Sequence, residues 1–334
     1  MRTVQPMNRR AMVMGMLGAM GLMATACAGD GATAPSSTTL VATTDAETTS
    51  TSAPPPASSA PAVPTGCTGE LEGPVTEQYR SDVAADDPNL LSLDVYRRPD
   101  ASGCPVIIWV HGGGWRRGDK VGQALDNKLR LAGDMGAVLV SVNYRLVNDA
   151  GDVVWPVMGN DVAAAVAWVL DHADDLGIDP GRVVLMGHSA GAHLVAIVSV
   201  HPDLLAEFGV ERSEVQCVVA LDGAAYEIAD EYNNLALYTD AFTDDPDVRA
   251  DASPTVQALA HPDDLPDTLV VTRGTPVRIA EATAYADAVA ASGATTVVVN
   301  ANPYNHMEAN SQLGEPGDEL VTPPTRDFLE ACFA

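Results

Sequence analysis

The stretch Val183-Val184-Leu185-Met186-Gly187-His188-Ser189-Ala190-Gly191-Ala192-His193-Leu194 decides the fold of this chain. Its first apolar residues predict a strand buried on both faces, and Ala190 to Val200 predicts a helix, so the glycines mark the turn between them. A serine on such a sharp strand-to-helix turn is held in strained geometry that only small neighbours permit. Its hydroxyl projects from the sheet edge beside the positive end of the helix. Ser189 is therefore a candidate nucleophile, and an ordinary glycine-rich turn is the alternative interpretation.

The rest of the chain repeats this strand-and-helix pattern. Further strand-like runs are Leu91 to Tyr96, Val106 to Val110, Ala137 to Val142, Val215 to Leu221, Thr268 to Thr272 and Thr295 to Val299. Helix-like stretches alternate with them, clearest at Val157 to Leu176, Ala190 to Val200 and Ile279 to Ser292. The alternation predicts an α/β fold with a doubly wound, mostly parallel sheet. The acidic stretch from Tyr226 to Pro266 is expected to be irregular and to form a cap or lid over the site.

A second glycine motif, His111-Gly112-Gly113-Gly114-Trp115, follows the predicted strand Val106 to Val110. Successive glycines let backbone N–H groups turn toward a developing oxyanion, where each donor stabilises the transition state by about 3 kcal/mol. We expect the N–H groups of Gly113, Gly114 and Ala190 to form this oxyanion hole. A flexible turn would explain the glycines but not their position ahead of the nucleophile.

From about Leu91 to its C-terminus the chain resembles the α/β-hydrolases of the hormone-sensitive-lipase and bacterial acetyl-esterase type, close to the arylformamidase-like (BD-FAE) branch. The motifs that carry the resemblance are His111 to Trp115, Ser141 to Leu146, Trp155-Pro156 with Asn160-Asp161, Gly187 to Gly191, and Asn305 to Glu308. The resemblance implies a single catalytic α/β-hydrolase domain that cleaves carboxylic esters. It also implies that His111 orders the glycine loop and that Arg145 and Asp161 brace the site without transferring protons.

In this fold the catalytic triad runs in the order serine, acid, histidine. His306 follows the last predicted strand and a short loop, which is the position of the general base. Related proteins carry an aspartate in a Gly-x-x-Asp turn before it, but here that turn reads Arg273 to Arg278 and has no carboxylate, while Glu281 already belongs to the next helix. We predict Asp222 as the acid, because parallel strands present their carboxyl ends side by side. A turn-capping role before Gly223 is the alternative.

These residues predict ester hydrolysis through an acyl-enzyme on Ser189, with no metal or organic cofactor. Trp115, Tyr144 and Trp155 are expected to line an acyl or alcohol pocket, with core packing as the alternative. The same machinery can cleave amides, so an N-formamidase of the arylformamidase type is one alternative function. A catalytically silent binding protein is the other, favoured only by the missing acid after Gly274.

The charge of the chain bears on its partners. Asp and Glu number 45 against 18 Lys and Arg, which gives a formal net charge of −27. This charge repels phosphate backbones and anionic lipid headgroups. A small-molecule ester is the predicted partner, nucleic acid is not, and any membrane contact is expected only through an N-terminal lipid.

The N-terminal residues have the features of an export signal. Arginines precede the apolar run from Ala11 to Met23, which is too short to span a bilayer. Ala24-Thr25-Ala26-Cys27 fits a cleavage site and resembles a lipobox, with Ala24 where leucine is usual, and Arg9-Arg10 leaves the Sec and Tat routes both open. We expect a signal peptide at 1–26, a lipidated Cys27 with a Thr/Ser/Pro/Ala-rich tether at 27–66, and the α/β-hydrolase domain at 67–334. The protein is predicted to be exported, as a lipoprotein on the outer face of the cytoplasmic membrane or as a secreted protein.

Of the five cysteines, four remain for the predicted domain. An even number in an exported domain suggests disulfides, although sequence alone leaves the connectivity open. We predict Cys67–Cys104, which would pin the entry of the chain to the strand at Val106, and Cys217–Cys332, which would clip the C-terminal helix to a sheet strand. Buried free thiols are the alternative.

Overall fold

The computed structural model describes residues 66–122, 124–228 and 236–334. The predicted signal peptide, the lipidation site Cys27 and all of the tether except residue 66 lie outside these ranges. Within them, the model contains no helix with the length and apolar character needed to traverse a bilayer.

The described residues form one eight-stranded sheet in the order β1-β2-β4-β3-β5-β6-β7-β8. Strand β2 is antiparallel to β1 and β4, and every other neighbouring pair is parallel. The predicted mostly parallel, doubly wound sheet is confirmed. The strands are β1 (Glu72–Gln78), β2 (Ser92–Arg97), β3 (Cys104–Val110), β4 (Val138–Val142), β5 (Ile178–His188), β6 (Cys217–Leu221), β7 (Asp267–Thr272) and β8 (Thr296–Asn300). Strand β1 escaped prediction because all its residues are exposed and it has no buried apolar face.

Helices cover both faces of the sheet. They are α1 (Leu125–Asp134), α2 (Val157–Asp171), α3 (Ala173–Leu176), α4 (Ala190–Val200), α5 (Ala236–Phe242), α6 (Pro246–Asp251), α7 (Pro254–Ala260), α8 (Pro276–Ala290), α9 (His306–Ser311) and α10 (Thr322–Cys332), with short 3₁₀ turns at Pro88–Leu91, Ala206–Phe208 and Arg212–Glu214. The stretch predicted as one helix from Val157 to Leu176 divides at His172.

The segment from Tyr226 to Pro266 was expected to be irregular, and for its described residues that expectation is wrong. It contains α5, α6 and α7. Pro246 and Pro254 start two of these helices, because a proline in the first helical turn needs no N–H partner and already has a helical φ. The Asp245 carboxylate caps α6 by accepting the N–H of Asp247.

Alternate residues of each strand enter different core clusters. Val106, Ile108 and Val110 of β3 pack with α2, α4 and α8, whereas Ile107 and Trp109 pack with α1 and α10. Helix α4 is buried along its whole length. The helix that follows Ser189 is therefore held on all sides by the core.

Both predicted disulfides are confirmed. Cys67 is bonded to Cys104, the first residue of β3, with a Cα–Cα distance of 5.5 Å. Cys217, the first residue of β6, is bonded to Cys332 at the end of α10, with a Cα–Cα distance of 6.2 Å. The two bonds tie both ends of the described domain to central strands.

Candidate active site

Ser189 lies at the sharp turn between β5 and α4, with φ 55° and ψ −117°. This left-handed backbone is rare for a residue with a side chain. A Cβ on Gly187 would overlap the Gly191 carbonyl, and a Cβ on Gly191 would overlap the Val110 carbonyl. The predicted strained turn is present, and its two glycines are required because neighbouring backbone occupies the space of any side chain.

The structure brings Ser189, His306 and Asp222 into one chain of hydrogen bonds. The His306 Nε2 lies 3.0 Å from the Ser189 Oγ, and the His306 Nδ1 lies 2.6 Å from an Asp222 carboxylate oxygen. Ser189 follows β5, Asp222 follows β6, and His306 begins α9 beyond β8. The three side chains meet because the carboxyl ends of these parallel strands share one edge of the sheet.

Two arginines hold the carboxylate of Asp222, which is fully buried. The Arg273 Nε donates to Asp222 Oδ2 at 2.7 Å, and the Arg278 Nη2 donates to Oδ1 at 2.8 Å. Arg278 also donates to the backbone carbonyls of Asp222 and Gly223, at 3.0 and 3.2 Å. Asp222 has a φ of 44°, so these bonds secure a strained turn as well as a buried charge.

From the sequence, this turn stands out only because it lacks an acid, and no role is predicted for Arg273 or Arg278. The turn that lacks the expected carboxylate carries two basic side chains five positions apart, in a chain with few basic residues. That coincidence is the signal that could have assigned them to Asp222.

The glycine loop lies against the serine turn. A Cβ on Gly112 would come within 2.7 Å of the His188 carbonyl oxygen, and Gly113 and Gly114 have φ values of 126° and 61°. No acceptor within the described ranges is bonded to the N–H of Gly113 or Gly114. Gly114 and Ala190 line the cleft beside Ser189, whereas Gly113, which precedes Gly114 in the loop, does not line it.

His111 and Tyr144 support this loop from behind. Their rings stack at 4.6 Å, and the Tyr144 hydroxyl donates to the His111 carbonyl at 3.2 Å. The His111 Nδ1 lies 2.8 Å from the Gly112 carbonyl oxygen, and burial lowers the pKa of His111. The prediction that Tyr144 lines the pocket is wrong, because the ring is fully buried under the loop.

Trp155 also lies outside the cleft, so its prediction as a pocket residue is wrong. Its Nε1 donates to Asp251 at 2.7 Å, and its ring packs against His193, His201 and Phe242. These contacts join α2 to the helices of the Tyr226 to Pro266 segment. Trp115 does line the cleft, as predicted.

Arg145 and Asp161 form a two-pronged ion pair at 2.8 and 2.7 Å, and the Arg145 N–H donates to the same carboxylate at 3.0 Å. Neither residue contacts Ser189, His306 or Asp222. The pair anchors the segment after β4 to α2, consistent with the bracing position that the resemblance implied.

His188 links the serine turn to the histidine. Its Nε2 lies 3.0 Å from the His306 carbonyl oxygen, and the two rings are 4.6 Å apart. Because a carbonyl only accepts, the Nε2 carries the proton. Burial, followed by repulsion from a charged His306, lowers the pKa of His188 to about 3. His188 therefore stays neutral near neutral pH and fixes the backbone of His306.

Lys128 holds the far end of α9. Its Nζ donates to the Asn310 carbonyl at 2.6 Å and lies 5.0 Å from the centre of the Trp109 ring. Burial lowers the pKa of Lys128 to about 7. The short helix that begins with His306 is thus fixed at both ends.

These groups open into a cleft of about 710 Å³. Its lining is partly apolar and partly charged or polar. The apolar lining includes Trp115, Ala224, Leu237, Tyr238 and Val277, and the polar lining, called the polar wall below, includes Arg273, Thr275, Arg278 and Glu281. Leu237 and Tyr238 come from α5, so the segment predicted as a cap does contribute to the site. Clusters of three or more His, Cys, Asp or Glu side chains able to hold a metal are absent from the part of the chain that the structure describes.

Comparisons with known proteins agree with this geometry. The BD-FAE family model matches residues 93–225, which include the glycine loop, Ser189 and Asp222 but not His306. The chain is 37% identical over 114 residues to the probable carboxylic ester hydrolase LipM of Mycobacterium tuberculosis, covering 33% of this chain and 26% of that protein. It is 40% identical over 110 residues to esterase LipQ of the same organism, covering 32% of this chain and 25% of that protein. The chain thus spans about a quarter of the length of these curated relatives.

Among solved structures, the Pyrobaculum calidifontis esterase is similar over 73% of this chain and 82% of its own, with a TM-score of 0.58 and 26% identity. This likeness covers more of the chain than the family-model match at residues 93–225 does.

Proposed function

We propose that this chain, an α/β-hydrolase by its fold and its relatives, is a serine esterase that cleaves carboxylic esters with Ser189, His306 and Asp222. The observation that carries the proposal is the unbroken chain of hydrogen bonds from the Ser189 Oγ through the His306 ring to the buried Asp222 carboxylate. That arrangement can deprotonate a hydroxyl and stabilise the imidazolium that results. The esterase relatives support the same class of reaction.

In the proposed mechanism the His306 Nε2 accepts the Ser189 proton while the Oγ attacks the ester carbonyl carbon. Asp222 accepts the Nδ1–H of His306 and stabilises its positive charge. The carbonyl oxygen becomes an oxyanion, for which the N–H groups of Gly114 and Ala190, with Gly113 behind them, are the proposed donors. Collapse of the tetrahedral intermediate breaks the bond to the alcohol oxygen, which takes the proton from His306.

The second half of the reaction releases the acyl group. Water gives a proton to the His306 Nε2 and attacks the acyl carbon, and Ser189 leaves with that proton restored. Neutral His188 suits this cycle, because an uncharged ring beside His306 does not repel the imidazolium.

The proposal is tested with purified protein and short p-nitrophenyl esters. We expect a fluorophosphonate probe to label Ser189, and Ser189→Ala to lower kcat by about a millionfold. Ester turnover that survives in Ser189→Ala would overturn the assignment. Faster turnover of an N-formyl aniline than of any ester would instead make the protein an amidase, and a folded wild type that the probe does not label would indicate a binding protein.

Export and lipidation of Cys27 also stay proposals. The two disulfides support export, since such bonds persist in oxidising compartments. We expect the full-length protein to fractionate with membranes and Cys27→Ala to move to the soluble exported fraction, as followed by immunoblot. A Cys27→Ala protein that remains with the membranes would count against the lipid anchor.

A further inference from the structure

The polar wall of the cleft contains two arginines in a chain whose net charge is −27. Both come from the turn after β7, at the position where sequence reasoning expected an acid. Arg273 and Arg278 keep 20% and 27% of their side chains exposed, and that exposed surface faces the cleft beside Ser189 and His306.

The two arginines are bonded to Asp222 in different ways. Arg278 satisfies Oδ1 and also holds the backbone of the turn. His306 satisfies Oδ2, and Arg273 adds a second donor to the same oxygen through its Nε. That single bond helps to compensate the buried carboxylate, but it leaves the far end of the Arg273 guanidinium uninvolved.

The remaining donors of Arg273 are available. Only its Nε is bonded within the described ranges, and the Nη1 and Nη2 groups have no acceptor there. A guanidinium presents these N–H groups as a planar fork that matches a carboxylate. The fork is held in place by the bond to Asp222, so little side-chain entropy is lost when a ligand binds.

We propose that Arg273 binds a carboxylate carried by the substrate, so that the cleft prefers esters with an anionic group. This inference rests on the proposed esterase function and specifies its substrate class. The carboxylate can belong to the acyl or to the alcohol part of the ester. Glu281 also lines the cleft, and its carboxylate repels an anion that binds there.

The experiment compares each carboxylate-bearing ester with a neutral ester that lacks the carboxylate. Monoethyl adipate against ethyl hexanoate tests an acyl-borne carboxylate, and 3-carboxyphenyl butyrate against phenyl butyrate tests an alcohol-borne one. The measured quantity is the ratio of kcat/KM, charged over neutral, in wild type, Arg273→Gln, Arg273→Lys and Glu281→Gln. The ratio cancels any general loss of activity caused by the missing bond to Asp222.

We expect Arg273→Gln to lower the ratio for one pair about tenfold, Arg273→Lys to lower it less, and Glu281→Gln to raise it about twofold. Added salt should lower the wild-type ratio but not that of Arg273→Gln. In the inactive Ser189→Ala background, calorimetry should show that adding Arg273→Gln weakens binding of the charged ester, monoethyl adipate or 3-carboxyphenyl butyrate, that the wild type prefers.

Equal ratios in wild type and Arg273→Gln for both pairs would overturn the inference while leaving the esterase function intact, provided that the neutral esters are hydrolysed. Undiminished hydrolysis by Ser189→Ala would instead refute the esterase function itself. The two failures are therefore distinguishable.

Discussion

The active site has two sides that are built by different means. The glycine side consists of Gly112 to Trp115 and Gly187 to Gly191, where neighbouring backbone leaves no room for a Cβ on Gly112, Gly113, Gly187 or Gly191. The arginine side consists of Asp222, Arg273, Arg278 and His306, where side chains from distant positions meet through charged hydrogen bonds. The first side is fixed by backbone geometry and the second by side-chain chemistry.

Because of this difference, the two sides should tolerate different amino-acid substitutions. A Cβ that overlaps backbone atoms cannot be accommodated by rotating a side chain. Substitutions on the glycine side should therefore lower stability and activity together. Charged side chains can be exchanged with less effect on the backbone, so substitutions on the arginine side should affect chemistry first. The following changes test that distinction, from the largest expected effect to the smallest.

The largest loss of activity without a matching loss of stability is expected at Asp222. Asp222→Asn removes the group that fixes the His306 tautomer and should lower kcat for esters about ten-thousandfold. Steady-state kinetics and the thermal unfolding midpoint are the measurements. Glu281→Gln is the matched control, since Glu281 lies in the same cleft but has no bond to His306, and it should change neutral-ester turnover by no more than a fewfold. Full activity in Asp222→Asn, with loss in Glu281→Gln, would reverse the assignment of the acid.

On the glycine side we expect stability and activity to fall together. Gly191→Ala forces a Cβ against the Val110 carbonyl and should lower the free energy of unfolding by about 3 kcal/mol, with a loss of turnover. Urea unfolding followed by circular dichroism measures it. Gly133→Ala, within helix α1, is the control. Its added Cβ would meet only the Gly69 carbonyl oxygen, at an ordinary contact distance of 3.7 Å. The substitution should therefore be neutral or stabilising. A fully stable Gly191→Ala would refute the proposed steric lock.

His188 joins the two sides, and its replacement should give an intermediate effect. His188→Asn loses the bond to the His306 carbonyl and should lower kcat about tenfold with a smaller change in KM. Unchanged kcat would show that the bond does not position His306.

The pH dependence of stability provides a second measurement on the same variant. The pKa of His188 is about 3 in the folded protein and about 6.5 in the unfolded chain. Below pH 6.5 the unfolded chain therefore binds a proton that the folded protein does not bind. Wild type therefore loses stability between about pH 6.5 and pH 3, a loss that His188→Asn does not share. The stability deficit of the variant should shrink by about 2 to 3 kcal/mol between pH 7 and pH 4. A constant deficit would contradict a neutral buried His188.

The smallest effect is expected at the apolar lining of the cleft. Leu237 of α5 approaches Gly114, and a Cβ on that glycine would lie 3.1 Å from the leucine. Leu237→Ala should enlarge the acyl pocket and shift kcat/KM toward longer acyl chains by a fewfold. An acyl-chain series from acetate to octanoate measures it, and an unchanged profile would show that α5 does not limit the pocket.

Local pattern predicted much of the fold and of the glycine side. Seven of the eight strands of the described sheet and the strained turn at Ser189 followed from apolar runs and glycine spacing. The cysteine number only suggested disulfides, and the predicted pairing of the four cysteines is the one that the structure contains. The same reasoning missed β1, whose exposed residues have no apolar period. It also misplaced Tyr144 and Trp155, because an aromatic side chain near a motif packs equally well into the core or into a pocket.

The sequence by itself determined the nucleophile turn and the glycine loop, because each depends on backbone geometry that neighbouring residues impose within a few positions. It also favoured Asp222 as the acid, because that residue ends a neighbouring parallel strand, with a turn-capping role as the alternative. Only the tertiary structure placed Arg273 and Arg278 on that acid and His188 on the His306 backbone. Those contacts join residues 51 to 118 positions apart. They depend on the order of parallel strands at the sheet edge and on where long side chains point, which no local pattern encodes.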